Sequence, residues 1–155
     1  MTGGLIAYCM MECPSGRGQE RDMKGSCLCG EIEYEARALA GQIVHCHCRK
    51  CRKAHAASYA TTARVDRPDF QWLKGTSSLG SYESSPGKLR HFCKQCGSQL
   101  MAEWVHQDQV IIRVATLDED PGQRPAAHIW VSEQADWLMD TELTRSFDKA
   151  PHGVF

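Results

Sequence analysis

The 155-residue sequence has no long hydrophobic run and no excess of charge of either sign. The longest uninterrupted apolar stretch, Leu5 to Met11, is far shorter than the roughly 18 residues that a membrane-spanning helix needs. Lys and Arg total 18 against 19 Asp and Glu, so we expect neither a basic nucleic-acid-binding surface nor an acidic tail. A length near the roughly 150 residues of an average domain predicts one compact unit.

The N-terminal stretch lacks the order of a secretion signal. Its first basic residue, Arg17, follows the apolar run instead of preceding it. We therefore expect a cytoplasmic protein. Residues 1–22 also lack a sustained helical or alternating pattern, so we expect a flexible N-terminal extension there and a folded domain over residues 23–155.

Helical periodicity is confined to one short basic segment, Arg49 to Ala57. Alternation is more common: Ile32, Tyr34 and Ala36 alternate with charged residues, which is typical of a half-buried strand. Turn signals such as Lys74-Gly75 separate further short apolar runs. These runs predict strands at 42–47, 58–65, 70–73, 78–82, 89–92, 99–104, 110–115 and 127–131. The pattern predicts an all-β fold.

Nine cysteines are the most informative feature of the composition. An odd number cannot pair completely within one chain, and a reducing cytoplasm disfavours disulfides. Cys9 and Cys13 stand apart, and the other seven form three tight groups: Cys27 and Cys29, then Cys46, Cys48 and Cys51, then Cys93 and Cys96. Burial as a small hydrophobic residue explains a single cysteine better than it explains seven in groups. Thiols grouped at this spacing indicate zinc sites.

Four of these cysteines predict a closed structural zinc site. Cys27, Cys29, Cys93 and Cys96 form two pairs from distant parts of the chain, which is the usual composition of such a site. We expect Cys27 and Cys29 to project from one face of a strand, because alternate strand residues point the same way. We expect Cys93 and Cys96 to lie on a tight turn, which Gly97 completes with a positive φ.

The remaining three cysteines predict a second zinc with an open position. Cys46, Cys48 and Cys51 lie within six positions of the chain and provide three corners of a tetrahedron. Three protein ligands and one position for water or substrate are typical of a catalytic zinc. A closed site is the alternative, since His55 lies one helical turn after Cys51 and is a possible fourth ligand.

Three other histidines lie near this second group in the predicted elements. His45 and His47 alternate with Cys46 and Cys48, so we expect both imidazoles to face away from the metal. His128 belongs to a predicted strand that can reach the site. A lone histidine in a strand is more often a hydrogen-bonded structural residue, and we interpret His128 in that way.

Three cysteine motifs together resemble the glutathione-dependent formaldehyde-activating enzyme family, which also includes centromere protein V. The motifs are Gly25-Ser26-Cys27-Leu28-Cys29-Gly30-Glu31-Ile32, Cys46-His47-Cys48-Arg49-Lys50-Cys51-Arg52-Lys53 and Phe92-Cys93-Lys94-Gln95-Cys96-Gly97-Ser98-Gln99-Leu100. The resemblance implies a compact all-β fold of small stacked sheets, of the Mss4-like or β-tent type. It also implies two zinc ions per chain, divided between the cysteines in the same way as the spacing predicts.

The resemblance further implies carbon–sulfur lyase chemistry, in which S-hydroxymethylglutathione forms from glutathione and formaldehyde or is cleaved. Cys46, Cys48 and Cys51 would then be catalytic through the second zinc, which favours the thiolate form of a thiol at its open position. The neighbouring basic residues Arg49, Lys50, Arg52 and Lys53 are candidates to attract the carboxylates of glutathione or another small thiol. A solvated basic face of a short helix explains them equally well.

Two functions from different classes remain open at this point. The first is a zinc-dependent lyase that acts on a small thiol–aldehyde adduct. The second is a non-catalytic, zinc-stabilised binding module, as the resemblance to centromere protein V suggests. Fold alone does not decide between them. An exchangeable fourth ligand at the second zinc favours the enzyme, and a histidine ligand favours the module.

Overall fold

A computed structural model of the protein describes residues 22–138. Most of the predicted N-terminal extension, including Cys9 and Cys13, lies outside the described residues. None of the helices within 22–138 is long and apolar enough to cross a membrane.

The described part of the chain consists of short strands and one helix, α1 (Arg49–His55). The strands are β1 (Met23–Ser26), β2 (Glu33–Ala36), β3 (Val44–Cys46), β4 (Ala60–Asp66), β5 (Phe70–Lys74), β6 (Leu79–Ser85), β7 (Lys88–Cys93), β8 (Gln99–Trp104), β9 (Gln109–Arg113) and β10 (Ala127–Ile129). Four short 3-10 turns lie between them or after them. The prediction of an all-β fold is confirmed.

The strands form two sheets. The smaller sheet has the order β1-β2-β5, and the larger sheet has the order β10-β3-β4-β9-β8-β7-β6. Neighbouring strands are antiparallel, except that β10 pairs with β3 in parallel and so brings the C-terminal part of the domain beside the Cys46 segment. The family resemblance implied small stacked sheets, and this two-sheet arrangement agrees with it.

The sequence predicted the strands better than their ends. Alternation missed β1, because its four residues offer little periodicity. The strand predicted at 110–115 ends at Arg113, and Val114–Thr116 form a 3-10 turn instead. The predicted helix ends at His55, since Ala56 adopts a left-handed conformation with φ 47°. The last two errors lie at element ends, where tertiary contacts outweigh local preference.

The hydrophobic core lies between the two sheets. Tyr34 and Ala36 of β2 are fully buried, as their alternation predicts, and they cluster with residues of β4 and β9 such as Val65 and Ile112. The Tyr34 ring also stacks on Phe70 of β5, with ring centroids 5.5 Å apart. This packing joins the small sheet to one face of the large sheet.

The opposite face of the large sheet carries a different set of side chains. Residues paired across an antiparallel ladder share a face, and so do residues two positions apart. The pairs Cys46–Ala60, Thr62–Arg113 and Arg90–Ala102 therefore all project from the face opposite to Ile112. Helix α1 packs near β4 on this side. Cysteine sulfurs and two arginines thus share one side of the sheet.

Candidate metal centres

Four cysteines from two distant segments form the first candidate centre. The sulfur atoms of Cys27, Cys29, Cys93 and Cys96 all lie within 4.8 Å of one another. The Cys27–Cys29 sulfurs are 3.5 Å apart, and the Cys29–Cys93 sulfurs are 3.9 Å apart. None of the seven cysteines among residues 22–138 forms a disulfide. The structure therefore brings together the four thiols that the sequence grouped.

The first pair of this centre lies on a turn and not on a strand, which corrects the predicted geometry. Strand β1 ends at Ser26, and the Gly30 amide donates to the Cys27 carbonyl oxygen at 2.9 Å. Gly30 has φ 72°, a conformation that glycine adopts at little cost. The amide of Ile32 donates to the Cys27 sulfur at 3.2 Å. The tight turn, rather than the pleat of a strand, brings these two sulfurs together.

The second pair lies on the turn that the sequence predicted. The Gly97 amide donates to the Cys93 carbonyl oxygen at 2.9 Å, and Gly97 has φ 76°. Hydrogen bonding with Ser98 lowers the pKa of the Cys96 thiol to about 5. The thiolate, which is the metal-binding form, is therefore favoured at Cys96.

The second candidate centre comprises Cys46, Cys48 and Cys51, whose sulfurs also lie within 4.8 Å of one another. Cys46 ends β3, Cys48 is the N-cap of α1, and Cys51 lies in the first turn of α1. The sequence placed both Cys46 and Cys48 on a strand, but the chain leaves the strand after Cys46. The Cys51 amide donates to the Cys48 sulfur at 3.4 Å, so the helix start holds this thiol in place.

The thiols of this second cluster change one another's pKa values through hydrogen bonds. Hydrogen bonding with Cys46 lowers the pKa of Cys51 to about 5 despite the cost of burial, and the Arg90 guanidinium acts in the same direction. The same hydrogen bond raises the pKa of Cys46. The thiolate form is thus favoured at Cys51 over Cys46.

His55 is not part of the group of ligand atoms formed by the three cysteines. It lies at the end of α1, partly buried, and its Nε2 has no hydrogen-bond partner among the described residues. Burial, together with the positive charges of Arg113 and Arg90, lowers the pKa of His55 to about 4, so its imidazole is neutral at pH 7. The described geometry leaves the three-cysteine cluster without a histidine at its fourth corner.

Three histidines, His45, His47 and His128, form a separate cluster with Tyr59. The His47 Nε2 and His128 Nδ1 atoms are 2.7 Å apart and share a hydrogen bond, and the rings of His45 and Tyr59 are 4.3 Å apart. The His45 Nδ1 atom is also 3.0 Å from the Thr61 hydroxyl. These contacts agree with the structural role predicted for His128.

Two arginines beside the second cluster were not among the predicted site residues. The Arg90 Nη2 atom lies 3.9 Å from the Cys51 sulfur, and Arg90 is only 4% exposed. Arg113 is 3% exposed, and its burial, with the charge of Arg90, lowers the pKa of its guanidinium to about 10. The available signal was an arginine within the apolar strand Val110–Ala115, but an edge strand would explain it as well.

The basic residues of α1 divide into two pairs. Lys50 and Lys53 line a cavity of about 540 Å³, whose wall also includes Arg90. Arg52 instead donates to the carbonyl oxygens of His47 and Glu133, and the Arg49 amide donates to the Glu133 carboxylate at 2.8 Å. The Lys53 side chain is exposed, and the Lys50 Nζ atom donates to the Ser85 hydroxyl at 2.6 Å. The Arg52 side chain and the Arg49 amide connect α1 to the segment after β10.

The chain is similar to several known proteins. A family model described as glutathione-dependent formaldehyde-activating enzyme matches residues 22–133. A Schizosaccharomyces pombe protein described as an uncharacterized lyase is 29% identical over 79 residues, which are 51% of this chain and 56% of that protein. The chain thus spans little more than half the length of this relative.

A solved crystal structure also has a similar fold. It is that of a Rhodobacter sphaeroides protein, with 26% sequence identity and a TM-score of 0.56. The similarity covers 66% of this chain and 98% of the other. About two thirds of this chain therefore shares its fold with an experimentally determined protein.

Proposed function

Because this chain belongs to the glutathione-dependent formaldehyde-activating enzyme family, we propose that it is a zinc-dependent carbon–sulfur lyase. Its substrate is the adduct of formaldehyde with a small thiol such as glutathione. During formation, the thiol sulfur bonds to the aldehyde carbon, and the thiol proton passes to the former carbonyl oxygen. Cleavage reverses both transfers. We place this reaction in the cytoplasm, in keeping with the unpaired thiols of the described residues.

The observation that carries the proposal is the incomplete ligand set of the second cluster. Cys46, Cys48 and Cys51 provide three sulfurs, and His55 does not join them. Three protein ligands with an open corner are characteristic of catalytic zinc sites, whereas four ligands close a structural one. By the same reasoning, we propose a structural role for the four-ligand set of Cys27, Cys29, Cys93 and Cys96.

The donor atoms fit zinc in number, type and spacing. Zn–S bonds of about 2.3 Å at tetrahedral angles separate neighbouring sulfurs by about 3.8 Å. The Cys27–Cys29 and Cys29–Cys93 separations of 3.5 and 3.9 Å are close to that value. Zinc bound by the second cluster would supply a Lewis acid that lowers the pKa of a thiol at the open corner.

The cavity beside α1 is the substrate-binding site in this proposal. Lys50 and Lys53 offer two ammonium groups to the carboxylates of an acidic thiol, and Arg90 links the cavity wall to the Cys51 sulfur. A volume of about 540 Å³ has room for a peptide-sized thiol. A carboxylate held by the lysines would position the sulfur near the three cysteines.

The proposal is tested by the exchange rate of the adduct at equilibrium. The uncatalysed addition of thiols to formaldehyde is itself fast, so exchange NMR at low temperature is the appropriate measurement. We expect zinc-loaded protein to accelerate exchange between glutathione and S-hydroxymethylglutathione in proportion to protein concentration. Acceleration should be smaller for 2-mercaptoethanol, which lacks carboxylates. Equal exchange rates with and without protein would contradict the lyase and favour the binding module.

Metal content and His55 provide a second test. We expect two zinc ions per chain, and we expect His55→Ala to retain both, since the His55 imidazole does not belong to either sulfur cluster. Elemental analysis of freshly reduced protein gives the ratio, and Ser58→Ala, just beyond the helix, is the matched control. Loss of one zinc in His55→Ala alone would indicate a closed second site.

A further inference from the structure

Arg90 and Arg113 are buried charges that lack a carboxylate partner in the described part of the chain. They are 4% and 3% exposed, and neither forms an ion pair with Asp or Glu within residues 22–138. The Arg90 Nε atom donates to the Ser84 hydroxyl at 2.9 Å. The Arg90 Nη1 atom and the Arg113 Nε and Nη2 atoms are buried without a partner among these residues.

Such a pair is unfavourable without compensation. Burial of a guanidinium removes its hydration, and two guanidiniums close together also repel each other. The charge of Arg90 indeed disfavours the charged form of Arg113. Natural proteins retain buried charges of this kind when an opposite charge lies nearby. An anion is therefore required on this face of the sheet.

The cysteine sulfurs are the anions that the structure places there. Arg90 lies 3.9 Å from the Cys51 sulfur, and the charges of Cys51, Cys46 and Cys48 all favour the charged form of Arg113. Strand register puts both arginines on the same face as Cys46, although β8 lies between β7 and β9. The arginines therefore lie beneath the cysteine cluster, on the side toward the sheet.

We infer that Arg90 and Arg113 are the counter-charges of the three-cysteine centre and that they make it select an anionic thiolate, rather than a neutral ligand, for its fourth position. Three thiolates and one divalent cation carry a net charge of minus one, and two guanidiniums change this to plus one. A thiolate ligand brings the buried group to neutrality, whereas water or imidazole leaves it positive. The inference rests on the proposed function only for the metal at Cys46, Cys48 and Cys51.

This role makes the two arginines positioning residues that act through charge. If the arginines had a purely structural role, their substitution would lower the affinity for every fourth ligand equally, or for none. A counter-charge predicts unequal effects, because only the binding of an anion gains from the guanidiniums. The ratio of thiolate affinity to imidazole affinity therefore separates the two roles.

The test uses cobalt-loaded full-length protein titrated with 2-mercaptoethanol and, separately, with imidazole. The sulfur-to-cobalt absorption band reports the ligand at the open site, and the four-cysteine centre has no free corner that would respond. We expect Arg90→Met and Arg113→Met to lower the thiolate-to-imidazole affinity ratio by about 10- to 100-fold, the range in which loss of an outer-shell partner usually changes metal affinity or activity. Arg90→Lys and Arg113→Lys should restore most of the ratio, because they keep the charge.

Arg64→Met is the matched control, since Arg64 projects from the same face of the large sheet as Thr62 but is exposed, and no hydrogen bond or ion pair joins it to a cysteine within residues 22–138. Its ratio should equal that of the unmodified protein. Ratios within twofold of the unmodified value in both Arg90→Met and Arg113→Met would overturn the inference. If a methionine variant does not fold, the test uses the unmodified protein. Tighter binding of imidazole than of 2-mercaptoethanol to that protein at pH 8 would also overturn the inference.

The outcome is separable from that of the proposed lyase. Ligand binding to cobalt is measured at equilibrium and needs no turnover. A selective thiolate site without adduct exchange would contradict only the lyase. Adduct exchange with an unselective site would contradict only the role of the two arginines.

Discussion

Cys96→Ser is expected to unfold the protein, because it opens the four-cysteine centre that connects the turn after β1 to the turn after β7. Structural zinc in small domains binds with an apparent free energy on the order of 10–16 kcal/mol, which is comparable with the roughly 5–15 kcal/mol stability of a whole domain. Cys96 is only partly buried, so loss of packing contributes little to the effect. Circular dichroism and thermal melts of zinc-loaded protein measure the loss.

The neighbouring turn residue provides the control for this substitution. Gln95 is exposed and contributes no sulfur, so Gln95→Ser should melt within a few degrees of the unmodified protein. If the melting temperature of Cys96→Ser is also within a few degrees of the unmodified protein, and the variant still carries two zinc ions, the four-cysteine centre does not support the fold. Removal of the metal with a chelator should reproduce the unfolding and so separate the metal from the side chain.

Cys48→Ser is expected to remain folded but to lose activity, in contrast to the unfolding expected of Cys96→Ser. Cys48 is the N-cap of α1, where its sulfur accepts a hydrogen bond from the Cys51 amide. Serine is a preferred N-cap residue, so the substitution preserves the helix start while it removes a metal ligand. We expect one zinc per chain instead of two and a fall in adduct exchange of about a thousandfold, since a catalytic metal contributes several kcal/mol.

Arg49, next to Cys48, tests whether any substitution at the start of α1 causes the loss of zinc and of adduct exchange. The Arg49 side chain does not line the cavity, and its amide contact to Glu133 involves only the backbone. Arg49→Ala should therefore keep both zinc ions and the exchange rate. Should Cys48→Ser unfold to the same extent as Cys96→Ser, the second centre would be structural as well, and the binding module would become the better interpretation.

The amino-acid sequence alone determined the features that depend on neighbouring residues. The spacing of Cys93, Cys96 and Gly97 specifies a tight turn, because few backbone conformations bring two sulfurs together across two residues. Alternation around Tyr34 specified a strand with one buried face for the same local reason. The division of seven cysteines into four and three also follows from their spacing along the chain.

Local spacing was a weaker guide where two conformations satisfy the same pattern. Cys27 and Cys29 can approach one metal from a strand or from a turn, and their spacing alone favoured the strand. The turn forms because Gly30 accepts a positive φ and the Gly30 amide closes on the Cys27 carbonyl oxygen. His55 likewise matched the spacing of a fourth ligand, but its ring atoms do not reach the sulfur cluster.

The charge environment of the second centre was decided only by tertiary structure. Arg90 and Arg113 lie on strands separated by β8, and their sequence distance from Cys51 gives no indication of contact. Sheet order and register place both guanidiniums on the face that carries Cys46. Both arginines are buried there, which strengthens the electrostatic interaction with the sulfurs. Side-chain identity within a strand is visible in sequence, whereas its neighbours across a sheet depend on how distant strands pair.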